Sequence, residues 1–196
     1  MTADDTPLDS TRETAEFAAF VTRHGESLDR LAYLILGDRQ AAEDLAAEVF
    51  LISWQQWNRV KGADYPVAYV RRILINQAAG HFRRQARERR GLEHLRIVSA
   101  THALTPDSAT VLDVRSLLMR LPPRRRACLV LRYAFDLTER EVSATLGISV
   151  GTVKSQTSKA VAQFRREAGD ALHDRAETLV PDLSMSTHSE KRNHVG

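Results

Sequence analysis

A single cysteine, Cys128, leaves this chain of 196 residues without the means to form an internal disulfide framework. Proline and glycine are also scarce, six and nine residues, too few for a loop-rich or fibrous protein. No apolar run approaches the roughly 18 residues that a membrane span requires. The first ten residues are acidic and polar, unlike a secretory signal. A Gly-rich phosphate loop, an HExxH pair and a paired-cysteine metal site are all missing. The seven histidines (His24, His81, His94, His102, His173, His188 and His194) are scattered, mostly in stretches that read as linker or tail. Together these gaps lead to the expectation of a soluble, reduced, cytoplasmic protein with no membrane insertion. It should not be an enzyme, and neither a metal nor another cofactor is expected. Cys128, inside an apolar helical stretch, reads as packing.

Hydrophobic residues make up 43% of the chain, which is enough for a buried core. The net charge is only +3, but it is unevenly spread. Residues 1–16 carry Asp4, Asp5, Asp9, Glu13 and Glu16 against Arg12. Residues 71–96 carry eight arginines against Glu88 and Glu93, and residues 111–171 carry eleven Lys and Arg against six acids. Basic blocks alternating with acidic ones suit a polyanion on one surface and a different partner on another.

The apolar spacing is helical nearly throughout, with no sustained alternation and no Asn-Gly or Asp-Gly hairpin signal. The pattern predicts an all-α chain. Residues 1–12 read as a disordered N-terminus and 13–84 as a first helical body. Residues 85–110 read as a flexible linker, 111–173 as a second small helical domain, and 174–196 as a disordered tail. In the first body, Phe17, Phe20, Val21, Leu28, Leu31 and Leu34 line one side of a first helix or helix pair, which Gly37 and Asp38 break. Leu45, Val49 and Ile52 mark a second helix, beside a stripe of Phe50, Trp54 and Trp57. Residues 58–64 read as a loop. Pro66 then suits the first turn of a third helix, where its missing N–H costs nothing.

The most informative stretch runs from Leu137 to Val161. Thr138 and Glu141 form a capping-box pattern, and Gly147 fits a left-handed helix end. Ile148 plugs the turn, Ser149 caps the next helix, and Val153 packs back on the first. This is the spacing of a helix–turn–helix. The outer face of the second helix presents Thr152, Lys154, Ser155, Ser158 and Lys159. Those hydroxyls and amines suit base edges and phosphates in a major groove. The fold alone does not single out one function, because repressors and recombinases share it.

The segment LPPRRRACLVLRYAFDLTEREVSATLGISVGTVKSQTSKAVAQFRR resembles the fourth region of bacterial RNA polymerase sigma factors of the small extracytoplasmic-function class. The segments AAEDLAAEVFLISWQQW and YPVAYVRRILINQA resemble the second region of that class, in wording most like an actinobacterial branch. The two motifs stand in the right order and cover about Phe17 to Arg166. The resemblance implies a factor that binds core RNA polymerase and directs it to promoter DNA. Its second region would read and melt the −10 element, and its fourth would read the −35 element through Thr152, Lys154, Ser155, Ser158 and Lys159. It places Glu43, Asp44, Ala47, Glu48 and Phe50 against the coiled-coil clamp of the polymerase.

The same resemblance makes the stretch from Asn58 to Pro66, with the helix after it, the part that captures a flipped base. Tyr65 and Tyr69 would supply stacking walls. Asn76 would offer a donor and an acceptor to a base edge. Tyr69, Arg72 and Asn76 share one helix face, which Arg83 continues toward phosphates. Arg71 could serve there or pair with an acid inside the domain. Arg124, Arg125 and Arg126 are expected at the DNA backbone or the polymerase flap. Gln156 and Lys159 depart from the family, where arginine is common, and lysine cannot make the bidentate guanine contact. An anti-sigma partner is a further expectation that the family alone carries. The competing reading is a helix–turn–helix regulator that binds duplex DNA as a dimer without polymerase. The basic, aromatic YPVAYVRRILINQA helix argues against a mere sensing module, and the all-helical pattern argues against a recombinase.

Overall fold

The computed structural model describes residues 7–95 and 114–179, with side chains over 11–88 and 114–169. These residues form eight helices and no strand: α1 (Pro7–Leu36), α2 (Arg39–Gln55), α3 (Trp57–Lys61), α4 (Pro66–Leu95), α5 (Val114–Arg120), α6 (Pro123–Tyr133), α7 (Glu139–Leu146) and α8 (Val150–Leu179). The chain is all-α, and its helices group into the two expected bodies, α1–α4 and α5–α8.

In the first body α1 packs on α2 and α4, with Leu28, Leu31, Val49, Val60, Val70 and Leu74 essentially without solvent exposure. Gly37 ends α1 in the left-handed conformation at φ +74°, and the Asp38 carboxylate caps α2 by accepting from the Ala41 amide at 2.8 Å. Trp57 is buried, and its ring meets Phe17 and Phe20 edge-on at 5.2 and 5.5 Å, whereas Trp54 keeps 38% of its surface exposed. In the second body Thr138 and Glu141 complete a reciprocal cap. The Thr138 amide and hydroxyl both donate to Glu141 Oε2 at 2.7 Å, and Thr138 Oγ1 accepts from the Glu141 amide at 3.3 Å. Gly147 closes α7 at φ +64°, and Val142 and Val153 meet beneath it with no exposed surface. Cys128 is buried, and burial pushes its thiol up to about 11.

Several boundaries differ from those the periodicity predicts. α1 already starts at Pro7, inside the expected N-terminal tail, and α4 runs on to Leu95, into the expected linker. α8 continues to Leu179, past the expected start of the C-terminal tail. The α4 extension is rich in Arg, Gln, Ala and Glu, good helix formers that need no apolar stripe to stay helical. At the start of the expected loop, buried Trp57 and Val60 accompany the short helix α3, which winds residues 57–61. The rest of the linker expectation, residues 96–113, and that for 180–196 lie outside the described residues.

The two bodies also pack on one another. α5 and α6 lie against α1, α7 lies against α4, and a single continuous apolar core runs through both. Arg126 sits at this junction with 4% of its surface exposed. It donates to the Ile35 carbonyl at the end of α1 and, at 3.1 Å each, to the Met119 and Leu121 carbonyls of its own body. Its guanidinium lies 5.2 Å from the centre of the Phe82 ring of α4. Burial lowers its pKa to about 10. The expectation that Arg126 approaches DNA or the polymerase flap is therefore corrected: the α6 helix turns it inward, onto carbonyls that have no helical partner. Arg125 is also engaged, donating to Gln163 of α8 at 2.9 Å, and Arg124 remains exposed.

Candidate nucleic-acid interface

The helix–turn–helix is held by local chemistry before any partner arrives. Ser149 Oγ accepts from the Thr152 amide at 3.1 Å and lies 2.8 Å from the Thr152 hydroxyl, so the first turn of α8 is fixed. Ser143 Oγ donates to the Ile148 carbonyl at 2.5 Å and closes the turn from the other side. Val153 and Ala160 face the core with no exposed surface. That orientation turns Lys154, Ser155, Ser158 and Lys159 out to solvent, with Thr152 half-buried at the rim. All five residues expected to meet DNA thus lie along one helix, four of them on its open side. Lys154 Nζ is 3.6 Å from Glu139 Oε2, an exposed ion pair that screening leaves weak, so the ammonium can change partners at little cost.

Beside this face lies a shallow groove of about 380 Å³ between α6, α7 and α8, bordered by Arg132, Tyr133, Lys154, Ser158 and Arg165, with Glu139 as its one acid. Tyr133 is 66% exposed, and Arg165 faces solvent at its edge. These basic and aromatic rims suit a polyanion, yet sequence reasoning passed over Arg132, Tyr133 and Arg165. The signal was present as the pair Arg132–Tyr133 at the end of α6, where the apolar spacing stops.

In the first body Tyr65 stands before α4 with 76% of its surface exposed. Asn76 and Arg83 are exposed along α4, and Arg72 is exposed with its guanidinium near the turn at Gly147. Tyr69 differs: it is half-buried and its hydroxyl donates to Gln56 Oε1 at 3.4 Å, a long bond. Four of the five expected residues are therefore exposed, and Tyr69 is the half-buried one. Arg71, left undecided by its sequence, turns to the second body. Its guanidinium lies 5.5 Å from the centre of the Phe135 ring, partial burial lowers its pKa, and Glu141 attracts it.

The acidic face of α2 is open as well. Glu43, Asp44, Ala47 and Glu48 are exposed, with Arg39 pairing Glu43 at 3.2 Å and Gln40 donating to Asp44 at 3.1 Å. Phe50 is half-buried at the edge of that face, about 20° around the helix from Glu43, and its ring lies beside Gly25 of α1. Leu51, 57% exposed, and Trp54 join the face, at successive steps of four and three from Ala47. The step pattern 47–51–54 was legible, but Phe50 drew attention from it. Among the described residues no group of His, Cys, Asp and Glu is arranged to hold a metal, and no helix is long and apolar enough to cross a membrane.

Comparison with known proteins agrees with this division. The sigma-70 region 2 family matches residues 20–88, and the sigma-70 region 4 family matches residues 111–164. The RNA polymerase sigma-E factor of Streptomyces coelicolor is 31% identical over 157 residues, which are 79% of this chain and 87% of that protein. The ECF RNA polymerase sigma factor SigE of Mycolicibacterium smegmatis is 29% identical over 151 residues, 74% of this chain and 58% of that one. Among solved structures, the Bartonella quintana sigma factor RpoE in complex with the anti-sigma factor NepR superposes with a TM-score of 0.64 at 22% identity, covering 77% of this chain and 95% of that chain.

Proposed function

The chain belongs to the sigma-70 family of RNA polymerase sigma factors, in its extracytoplasmic-function class, and we propose that its two bodies divide promoter recognition between them. As a sigma factor it binds core RNA polymerase and directs promoter-specific initiation. In our reading residues 13–84 dock on polymerase and melt the −10 element, and residues 111–173 read the −35 element. The single observation that carries this division is the pair of open faces on separate helices: Tyr65, Arg72, Asn76 and Arg83 around α4, and Lys154, Ser155, Ser158 and Lys159 along α8. The first suits a splayed strand, with a ring to stack on and an amide for a base edge. The second suits a groove, with short polar groups and point charges. In this role the chain supplies binding energy and no catalysis, and it acts in the cytoplasm beside the polymerase. An anti-sigma partner, as in the Bartonella complex, belongs to the same proposal.

Phosphate contact by Lys154 and Lys159 has a quantitative signature. For the polymerase complex on promoter DNA, the Lys154→Ala/Lys159→Ala variant should lower the magnitude of the slope of log K against log salt by about 2, roughly one per lost contact. Fluorescence anisotropy across a salt series measures it, and an unchanged slope would remove both lysines from the backbone.

The polymerase-facing surface is tested separately. Reversing charge on the α2 face with Asp44→Lys/Glu48→Lys should weaken association with core polymerase by about tenfold or more, because like charges then meet across the interface. Biolayer interferometry with immobilised core enzyme reads this. Unaltered affinity would move the docking surface elsewhere.

A further inference from the structure

The loop that carries Tyr65 hangs from a very short helix. α3 has five residues, far fewer than the roughly 12 that a helix needs to persist on its own in water, so its place is set by what it packs on. Part of that support is apolar: Trp57 meets the rings of Phe17 and Phe20, and Val60 is fully buried. At the last residue of α3 the support is ionic. Lys61 Nζ lies 2.7 Å from Glu13 Oε1 and 3.9 Å from Glu16 Oε2. The two acids are three residues apart on α1, so they meet the ammonium from one helix face. Arg12 holds the other oxygen of Glu16 at 3.0 Å. The side chains of Lys61 and Glu13 keep only 36% and 26% of their surface exposed, against 89% and 57% for the Arg39–Glu43 pair on the open face of α2. Salt therefore screens the Lys61–Glu13 pair less.

The chain leaves α3 directly after Lys61. The Gly62 and Ala63 amides still donate back to the Asn58 and Val60 carbonyls, and the Ala68 and Tyr69 amides donate to the Tyr65 carbonyl. One end of the loop is thus tied to α3 and the other to α4, and the aim of the exposed Tyr65 ring depends on where α3 is held. The match to the sigma-70 region 2 family begins at residue 20, so Glu13, Glu16 and Phe17 all lie ahead of it.

We propose that Glu13, seconded by Glu16, is a positioning residue for base selection at the −10 element: it holds Lys61, and through Lys61 it fixes α3 and the loop 62–65. A site that tells one base from another by fit loses most with its preferred base when its walls loosen, so selectivity falls further than binding as a whole. In this arrangement the Lys61 charge is answered by α1 and is not offered to a DNA phosphate. The proposal rests on the reading of this loop as the part that captures a flipped base.

Two measurements on the full chain test it. The first is hydrogen exchange without polymerase. The Gly62 and Ala63 amides should exchange several-fold faster in Glu13→Gln than in the parent, while the amides of α2 keep the parent's rate and show the fold intact. The second is run-off transcription with core polymerase on a promoter whose −10 element is substituted one base at a time. The ratio of transcript from the preferred element to that from a substituted one should fall by about three- to tenfold in Glu13→Gln and in Lys61→Met, the range of a modest coupling between contacting residues. Methionine keeps a stem of similar length, so packing alone does not produce the loss. Lys61→Arg should retain the ratio. Glu13→Lys should lower it further, and adding Lys61→Glu should recover part of it, because attraction replaces repulsion across the pair.

Amides of Gly62 and Ala63 that exchange at the parent's rate in Glu13→Gln overturn the proposal. So does an equal loss of transcript on every −10 variant in Lys61→Met, with the slope of log K against log salt reduced by about one and Glu13→Gln unaffected, since that pattern assigns Lys61 to a phosphate. Faster exchange with an unaltered ratio counts against the base-capturing reading of the loop, and the role of Glu13 in selection falls with it.

Discussion

Run-off transcription by core polymerase with the Tyr65→Ala/Asn76→Ala variant is expected to fall by about 30- to 300-fold, the sum of a lost base stack and a lost base-edge hydrogen bond. Tyr65 has 76% of its surface exposed and Asn76 is exposed on α4, so neither contributes to the core. Folding and affinity for core polymerase should be unchanged, which separates this defect from instability. The loss arises at a defined step. Unstacking a base costs a few kcal/mol, and the pocket must return that energy when the strand is captured. On a template already mismatched across the −10 element the cost is met in advance, and the defect should shrink several-fold. A defect of equal size on both templates would place Tyr65 and Asn76 outside the melting step.

Replacing Arg126 by alanine is expected to destabilise the chain by about 2–4 kcal/mol, since buried acceptors left without a donor cost about 1–3 kcal/mol each and water recovers part of that. The carbonyls of Ile35, Met119 and Leu121 all lose their partner, and the Phe82 ring loses the guanidinium above it. For a chain of this length the midpoint should drop by roughly 5–15 °C in a thermal melt. Arg126→Met should cost less, because a stem of similar length fills the space and the charge no longer has to be desolvated. Burial holds the Arg126 pKa at about 10, below its ordinary value, so its proton is bound less tightly in the fold. A base whose folded pKa lies below its unfolded value costs stability wherever both states carry the proton. That penalty is present in full at neutral pH and should ease only as pH rises through about 10. Equal melting of the alanine variant and the parent would show that Arg126 is not a structural member of the junction.

Much of the helix–turn–helix was legible because its rules are local. Thr138 and Glu141 are three apart, Gly147 adopts the positive φ that ends α7, and Val153 follows at the step that returns to the core. The open face of α8 followed from spacing in the same way, whereas the order of the two bodies and the choice of residues around α4 came from the resemblance. What spacing could not supply was the long-range part. Arg126 stands in a run of three arginines after two prolines, and a basic run reads as a solvated or DNA-facing cluster. Only the packing of α6 on α1 reveals that it meets the Ile35 carbonyl. Leu51 was missed for a related reason: an aromatic beside acids looks like the anchor, so Phe50 was named, while Leu51 stands further outside on the same turn of α2. The extension of α4 to Leu95 escaped because a charged helix has no apolar stripe to betray it.

The central claim is that this chain turns core RNA polymerase into a promoter-specific enzyme. Single-round run-off transcription with purified core polymerase, with and without the chain, over genomic promoter fragments tests it most directly. The account predicts discrete transcripts that appear only when the chain is present and vanish when either the −35 or the −10 element is scrambled. Promoter-independent transcription in its presence, together with tight duplex binding by a dimer lacking polymerase, would contradict it.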